Sequence, residues 1–315
     1  MARKQIKLNS GRVTKTFNAG FDEFINTCKI KNLRPATIKT YEDSIHYSFY
    51  QYFDRNRNIN EITQEVYDDY ILFLKSKNRK DSGINSSLRH LKTVLNYFID
   101  LGYMDKIEFK KLTTDTEIIE TYTESELKLL LKKPNINKCS FIEYRNWSII
   151  NVFLGTGCRV SSLINIKVED LDFENNLLLF THTKKRIHHV VPISGSLRIV
   201  LLEYIKKLNL EPSDWLFTNA FGDKLSRFSV NYSIEKYCKR RGVPHSGLHK
   251  FRHSFAKLWV ENGGDILKLS KILQHSRLDM TQHYVNLFAK DIKDFNDFNP
   301  LEKLQELPRK KIKLR

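Results

Sequence analysis

Cysteine is scarce in this sequence, and long apolar runs are absent. The four cysteines, Cys28, Cys139, Cys158 and Cys238, lie far apart, with neither a CxxC pair nor the cysteine and histidine spacing of a zinc site. The sequence therefore predicts neither a disulfide framework nor a metal site. It also predicts a reducing compartment, the cytoplasm. No stretch approaches the roughly 18 apolar residues that a membrane span needs, and the first residues lack the apolar segment of a signal peptide. We expect neither a membrane partner nor a bound cofactor.

Acidic residues are also in deficit. Lys and Arg number 53 against 36 Asp and Glu, which gives a formal net charge of +17. Such an excess predicts attraction to a polyanion and says little about fold. Five basic residues lie in residues 1–17 without an acid, and five more lie in residues 308–315. Ends of this composition are typical of solvated tails or of extra phosphate contacts on nucleic acid, and the sequence leaves both open.

At 315 residues the chain is longer than one core usually organises, so two domains are expected. After a basic arm over residues 1–17, apolar residues recur at helical spacing and predict a four-helix domain over residues 18–104. Residues 105–122 mix charges and threonines without a steady period, which is typical of a linker. The four helical stretches are Phe17 to Cys28, Pro35 to Phe53, Thr63 to Phe73 and Leu88 to Phe98, the last closed by Gly102.

A second domain is expected from residue 123, where Thr123 and Glu126 form a capping box in front of an apolar run. Helical stretches in this domain surround one β-like segment, NNLLLFTHTKKRIHHVVPI, which predicts a hairpin with a lysine-rich tip. We therefore predict a mainly α domain with a small β-sheet over residues 123–290. A C-terminal helix and a basic tail are expected over residues 291–315.

Three segments of the second domain carry side chains suited to phosphate chemistry. In GTGCRVSSL, Arg159 lies between the end of an apolar helix and the start of the next, where an anion would satisfy its charge. Pairing with a carboxylate such as Asp170 is the structural alternative for this arginine. In HKFRHSFA, His249 and Arg252 lie three residues apart on one face of a helix, so both can contact one ligand. In LQHSRLDMTQHYVN, a histidine precedes a tyrosine by nine residues.

The order of these residues resembles the catalytic domain of the tyrosine site-specific recombinases, the phage-integrase family. An arginine in a glycine-broken helix junction is followed by a lysine on a hairpin, by HxxRH, by a histidine 23 residues beyond that motif's arginine, and by a tyrosine nine further on. The matches cover most of residues 123–290, and the preceding helical domain is similar to that family's core-binding DNA domain. The resemblance implies six catalytic residues, Arg159, Lys184, His249, Arg252, His275 and the nucleophile Tyr284.

Three positions depart from the pattern of that family. Ser162 stands where an acidic residue is usual, Gln274 where glycine is usual, and Gln282 where threonine is frequent. None of the three is a catalytic position. The departures therefore concern the surroundings of the site and the way in which a helix closes before His275, rather than the reaction.

The chemistry of these residues is coherent without a metal. Attack of the Tyr284 hydroxyl on a DNA phosphate builds negative charge, which the guanidinium groups of Arg159 and Arg252 can clamp. His249 suits acid and base work on the phenolic proton. The resemblance implies that Lys184 protonates the leaving 5′ oxygen.

The resemblance implies a role for one more histidine and none for three others. It implies that His275 hydrogen-bonds the phosphate or positions its neighbours. It assigns no chemistry to His245, His253 and His283, which we expect to be ordinary polar or packed residues.

The resemblance implies a site-specific recombinase that joins DNA through a 3′-phosphotyrosine intermediate, for integration, excision or resolution of DNA elements. Its expected partners are double-stranded DNA with a specific recombination site and three further copies of the chain on paired sites. An accessory directionality factor is a further candidate partner. The family passes a C-terminal helix to a neighbouring copy, for which residues 287–304 are the candidate, although this segment could instead pack in cis.

Three other functions are weighed against this one. A type IB DNA topoisomerase shares the tyrosine and the basic residues but relaxes supercoils as a monomer. A non-catalytic sequence-specific DNA-binding protein would keep the fold around a vestigial site. A phosphodiesterase that uses His249 and His275 with water would leave free DNA ends and no covalent adduct. The presence of all six positions favours the recombinase over the last two.

Overall fold

A computed structural model describes residues 14–114, 119–181, 188–275, 281, 282 and 284 of the chain. The chain divides into two compact units, Met1–Glu117 and Ile118–Arg315, here called the N-terminal and C-terminal units. The described residues are mostly helical with one three-stranded sheet, which confirms the predicted fold class. None of the described helices combines the length and the apolar character that crossing a bilayer takes.

The N-terminal unit contains the four helices that the apolar spacing predicts. Its core is aromatic, because the ring centroid of Phe17 lies 4.9 Å from that of Phe49 and 5.4 Å from that of Phe98. Thr16 and Thr63 cap two of the helices with their side chains, as is typical of threonine at an N-cap. The helices are α1 (Phe17–Ile30), α2 (Pro35–His46), α3 (Gln64–Ser76) and α4 (Asp81–Asp100), with turns of 3-10 helix at Phe49–Gln51 and Ile59–Glu61.

The second helix is shorter than the sequence predicts. The spacing through Phe53 predicts one continuous helix, but α2 ends at His46 and Phe49 lies in a separate 3-10 turn. Between them the buried Ser48 hydroxyl lies 2.7 Å from the hydroxyl of Tyr70 on α3, and this hydrogen bond holds the break. Phe49 and Phe53 are still in the core, each 1% exposed. The apolar spacing thus identified the core residues, whereas a tertiary contact sets the end of the helix.

The first part of the predicted linker lies against the N-terminal unit. Ile107 is buried in the core of that unit, and Phe109 and Leu112 pack on it. The side-chain amide of Asn85 on α4 donates to the carbonyl of Leu112 at 3.0 Å and accepts from its N–H at 2.9 Å. Residues 115–118 lie outside the described residues. The boundaries of the predicted domains and of the linker stay a prediction.

The C-terminal unit is built around one buried helix, α6. Ile149, Ile150, Val152 and Phe153 on this helix are each 0% exposed, so the helix must be covered on several sides. Helices α5, α8, α9 and α10 supply that cover. The elements of this unit are α5 (Glu124–Leu131), α6 (Phe141–Thr156), α7 (Val160–Leu163), β1 (Leu171–Asp172), β2 (Leu177–Phe180), β3 (His189–Pro192), α8 (Gly195–Leu208), α9 (Arg227–Arg240), α10 (Leu248–Glu261) and α11 (Ile266–Leu273).

The sheet and the capping box in front of α5 follow the sequence prediction. The strands form an antiparallel sheet in the order β1-β2-β3, in which Leu178 pairs with Val191. The predicted capping box is present, since the Thr123 side chain accepts from the Glu126 N–H and the Glu126 side chain accepts from the Thr123 N–H. The hairpin tip, residues 182–187 with Lys184, lies outside the described residues.

Helix α11 closes on a residue that departs from the family pattern. Gln274 has φ 52° and ψ 44°, the left-handed conformation that a helix C-terminus often needs. Glycine adopts this conformation without the steric cost that a Cβ brings. The glutamine therefore keeps the turn that glycine would make, and it stores a small amount of backbone strain directly before His275.

Replacement of Gln274 by glycine should relieve that strain. We expect Gln274→Gly to raise the free energy of unfolding of the C-terminal unit by about 1 kcal/mol, measured by urea denaturation. Asn209→Gly is the matched control, because Asn209 closes α8 at φ 50° and asparagine tolerates this region better. Its gain should be smaller, and a Gln274→Gly protein that is less stable than the parent would contradict the strain.

Candidate active site

A buried phenylalanine fixes the rotation of α10, which carries several candidate residues. The ring of Phe251 is 0% exposed and lies 4.5 Å from the ring of Tyr122 and 5.8 Å from that of Phe153 on α6, centroid to centroid. With Phe251 held in the core, Arg252 reaches the ends of two neighbouring helices and His253 reaches the phenol of the predicted nucleophile.

The guanidinium of Arg252 is buried and bound to backbone carbonyls. Its Nη1 donates to the carbonyl of Gly157 at 2.7 Å, and its Nη2 donates to that of Leu273 at 2.5 Å. These carbonyls close α6 and α11, where the helix dipole places partial negative charge. Burial, and then the charge of Arg159, lower the pKa of Arg252 to about 10, so the group remains protonated at neutral pH.

Arg159 is the N-cap residue of α7 and is half-buried. Burial lowers its pKa, and the neighbouring Tyr284 opposes this shift. Within the part of the chain that the structure describes, no carboxylate lies at ion-pair distance from Arg159 or Arg252. Asp170, the alternative partner, instead accepts from the N–H of Lys167 at 2.8 Å. The two arginines therefore keep a net positive charge that an anion can meet.

Tyr284 lies beside this charge. Its side chain is 4% exposed and packs with Ala256 of α10 and with Leu269 and Leu273 of α11. Its hydroxyl oxygen lies 2.7 Å from Nδ1 of His253. Burial raises the pKa of the phenol, whereas the positive charges of the two arginines lower it. The structure thus brings the predicted nucleophile and the predicted phosphate clamp into one site.

His275 lies next to Tyr284. The two rings are stacked, with centroids 6.2 Å apart and an interplanar angle of 6°. Nδ1 of His275 is 2.7 Å from the hydroxyl oxygen of Thr281. Burial and the charges of Arg252 and Arg159 lower the pKa of His275 to about 4, so its ring is neutral at neutral pH.

Of the two remaining candidate residues, His249 and Lys184, the structure describes only His249. His249 is exposed at the first turn of α10, and its pKa is lowered by partial desolvation and by the charges of Arg252, Arg227 and Arg159. Lys184 lies outside the described residues. Among the described residues, no three histidine, cysteine or acidic side chains are placed to share a metal ion.

Two protein-family models match this chain. The family model described as the phage integrase family matches residues 120–291, more than half of the chain. The chain belongs to the phage integrase family. A second model, the phage integrase SAM-like domain, matches residues 13–115. The matches confirm the resemblance inferred from the order of the motifs.

Several phage-integrase relatives are similar over most of the chain. A probable integrase/recombinase of Acholeplasma phage L2 is 29% identical over 81% of this chain and 91% of its own length. Tyrosine recombinase XerC of Staphylococcus aureus (strain USA300) is 26% identical over 86% of this chain and 93% of its own. A lambda integrase dimer bound to a COC′ core site has a similar fold, with a TM-score of 0.68 at 14% identity, over 95% of this chain and 81% of that one.

Two histidines at the site were not predicted from the sequence. His253 was expected to be an ordinary residue, yet it contacts Tyr284. Nε2 of His189 lies 2.9 Å from the carbonyl of Ile272, so it ties β3 to α11. The position of His253, four residues after His249 and therefore on the same helix face, was a usable signal. His189 begins β3 just after the hairpin tip, and nothing in its local sequence identifies its distant partner.

Gly157 of the phage-integrase motif GTGCR has no room for a side chain. Its φ is +61°, and an added Cβ would lie 2.6 Å from Cδ1 of Phe255 and 2.8 Å from Cδ2 of Leu273. Its carbonyl also accepts from Arg252. The tight approach of α10 and α11 to the end of α6 therefore depends on this glycine.

Gly157→Ala should destabilise the C-terminal unit by more than about 2 kcal/mol, because it adds a steric clash to left-handed strain. Urea denaturation measures this loss. Gly195→Ala is the control, since nothing lies within 4 Å of its added Cβ and it begins helix α8. Equal stability of the two variants would contradict the close approach.

Proposed function

We propose that this chain is a site-specific DNA recombinase that cleaves and rejoins strands through a 3′-phosphotyrosine intermediate on Tyr284. The observation that carries the proposal is the convergence of two guanidinium groups, without a carboxylate partner among the described residues, on a buried tyrosine. Membership of the phage integrase family and relatives named integrase or recombinase support the same activity.

The cleavage step follows from the charges of the site. The Tyr284 oxygen attacks a backbone phosphorus, and the 5′ oxygen leaves. Arg159 and Arg252 bind non-bridging oxygens, on which negative charge grows in the transition state. The phosphotyrosine ester conserves the energy of the broken phosphodiester. A 5′ hydroxyl of another strand can therefore reverse the step without ATP.

Three residues are assigned supporting roles. Lys184 protonates the 5′ oxygen, which would otherwise leave as a strongly basic alkoxide. His249, exposed at the start of α10, is assigned acid and base work. His275, a neutral ring stacked on Tyr284, positions the phenol and is available to donate a hydrogen bond to the phosphate.

Double-stranded DNA is the partner that charge and family favour. The net charge of +17 suits a polyanion. One similar structure is a lambda integrase dimer on a core site, and another is XerH bound to a palindromic difH substrate. Exchange between two duplexes requires four cleavages, so we propose a tetramer on paired sites, with residues 287–304 passed between copies. An accessory directionality factor and a cytoplasmic location belong to the same proposal.

The rival activities make different products. A type IB topoisomerase would relax supercoiled DNA without joining specific sites, and the named relatives do not favour it. A non-catalytic DNA-binding protein would lose nothing when Tyr284 is replaced. A phosphodiesterase would release DNA ends without a protein adduct.

A suicide DNA substrate that carries the recombination site tests the nucleophile and the clamp. The parent chain should form a covalent adduct on the Tyr284 peptide, seen by denaturing gel and mass spectrometry, and Tyr284→Phe should form none. Arg159→Ala should slow adduct formation by at least about 100-fold while DNA binding is retained, because a transition-state donor is lost. Arg241→Ala is the control, since Arg241 is bound to Glu143 at 3.1 Å. A parent chain that cleaves the site without an adduct would refute the proposal.

The role of Lys184 is tested with a substrate whose leaving 5′ oxygen is replaced by sulfur. Lys184→Ala should slow cleavage of normal DNA by about 100-fold or more, and the sulfur substrate should restore most of the rate, because a thiolate leaves without a proton. Lys185→Ala is the matched control and should cleave both substrates like the parent. An equal defect of Lys184→Ala on both substrates would assign this lysine to phosphate binding instead.

A further inference from the structure

We propose that His253 is a catalytic residue, the base that takes the phenolic proton of Tyr284 as the strand is cleaved. The inference rests on the proposed function, because it concerns the same nucleophile. It assigns a step to a histidine that the family resemblance leaves without chemistry, and it moves the proton from His249, the group that the sequence favoured.

The geometry that supports this role is a direct contact with the reacting atom. Nδ1 of His253 lies 2.7 Å from the hydroxyl oxygen of Tyr284, within the range for an O–H donor to a ring nitrogen. The centroids of the two rings lie 5.8 Å apart, and the ring planes are tilted by 43°. His253 is half-buried in the middle of α10, where the helix fixes its position.

The charges around His253 keep its ring available as an acceptor. Burial, and then His249 and Arg252 on its own helix, lower the pKa of His253. From the segments packed against it, His275 and Tyr284 face it, and His275 is itself neutral at neutral pH. The ring of His253 is therefore unprotonated at neutral pH, and its Nδ1 can accept the hydrogen bond of the phenol.

The proton transfer must accompany bond formation. In the resting site the phenol holds its proton more strongly than the imidazole would, since burial raises the pKa of Tyr284 and lowers that of His253. As the phenolic oxygen bonds to phosphorus, its affinity for the proton falls, and the proton passes to Nδ1. The phosphorus–5′ oxygen bond breaks with its electron pair on the 5′ oxygen. On rejoining, the imidazolium returns the proton to the departing phenolate.

His249 is less suitable for this proton. Its ring lies one turn earlier on α10, with its centroid 6.4 Å from that of His253, and it is exposed. An exposed ring at the first turn of the helix suits contact with DNA, whereas the half-buried ring of His253 is shielded with the phenol. In this assignment His253 acts on the phenolic oxygen of Tyr284, and His249 contacts the DNA.

The first test uses His253→Asn, because the asparagine amide occupies the place of Cγ and Nδ1 and cannot accept a proton near neutral pH. We expect adduct formation on the suicide substrate to fall by about 100-fold or more at pH 7, and the deficit to shrink about tenfold for each pH unit above that. The readout is the single-turnover rate between about pH 6 and about pH 9. A parent rate, or a deficit of one constant size at every pH, overturns the proposal.

His245→Asn is the matched control, since this exposed histidine precedes α10. It should keep the rate and the pH profile of the parent. The thermal midpoint and gel-shift binding of the DNA site are recorded for every variant. If the parent itself forms no adduct on Tyr284, the proposed function fails. If the parent forms the adduct and His253→Asn is unimpaired, only this inference fails.

A second variant, His253→Ala, tests the same role without relying on how the asparagine side chain of His253→Asn behaves. His253→Ala leaves a space at the ring position, which free imidazole can enter. Added imidazole should restore adduct formation in a saturable way, and more basic substituted imidazoles should restore it more, as expected for a base in the rate-limiting step. Imidazole should not accelerate Arg159→Ala. Absence of rescue in a folded, DNA-binding His253→Ala protein counts against His253 as the base.

Discussion

A single buried guanidinium, that of Arg252, joins the parts of the C-terminal unit on which the site depends. Its two hydrogen bonds end on the closing carbonyls of two helices, Gly157 after α6 and Leu273 at the end of α11. Helix C-termini carry partial negative charge, so these carbonyls offset part of the several kcal/mol that burial of a charge costs. Carbonyl dipoles carry no net charge, however, so the guanidinium of Arg252 keeps its positive charge and can still attract an anion. The contact that joins the two helix ends therefore also contributes the positive charge that we propose binds the phosphate.

A second guanidinium strengthens this field at the expense of the protein's own stability. Arg159 contributes to the lowered pKa of Arg252, which is what two like charges in a partly desolvated site produce. The phenol of Tyr284 lies in the same field, where the arginines oppose the effect of its burial. A phosphate bound between the arginines would relieve their repulsion and would receive the nucleophile at close range. In the proposed reaction, binding energy from DNA would therefore stabilise the charge that develops in the transition state.

Much of this site was readable from the sequence because its residues lie in three short motifs with fixed order. Arg252 and His249 share a helix face, and the glycine-broken junction before Arg159 was visible as GTGCR. Contacts between motifs were not readable: His253 and Tyr284 are 31 residues apart, and local spacing cannot tell which ring of α10 the tyrosine meets. The same limit applied to α2, where the spacing found the core but a hydrogen bond from Ser48 to another helix sets the break.

The division of labour between arginines and histidines has a physical reason. Arg252 stays charged near neutral pH even with its pKa lowered to about 10, so the proposed phosphate clamp does not titrate there. Burial lowers the pKa values of His253 and His275, and the charge of Arg252 lowers both further because it repels a further positive charge. A neutral imidazole can accept a proton, but it can hold that proton only when negative charge has arrived nearby. The imidazolium that forms at His253 would therefore be stable only while a phosphate occupies the clamp, and activation of the nucleophile is coupled to the presence of DNA.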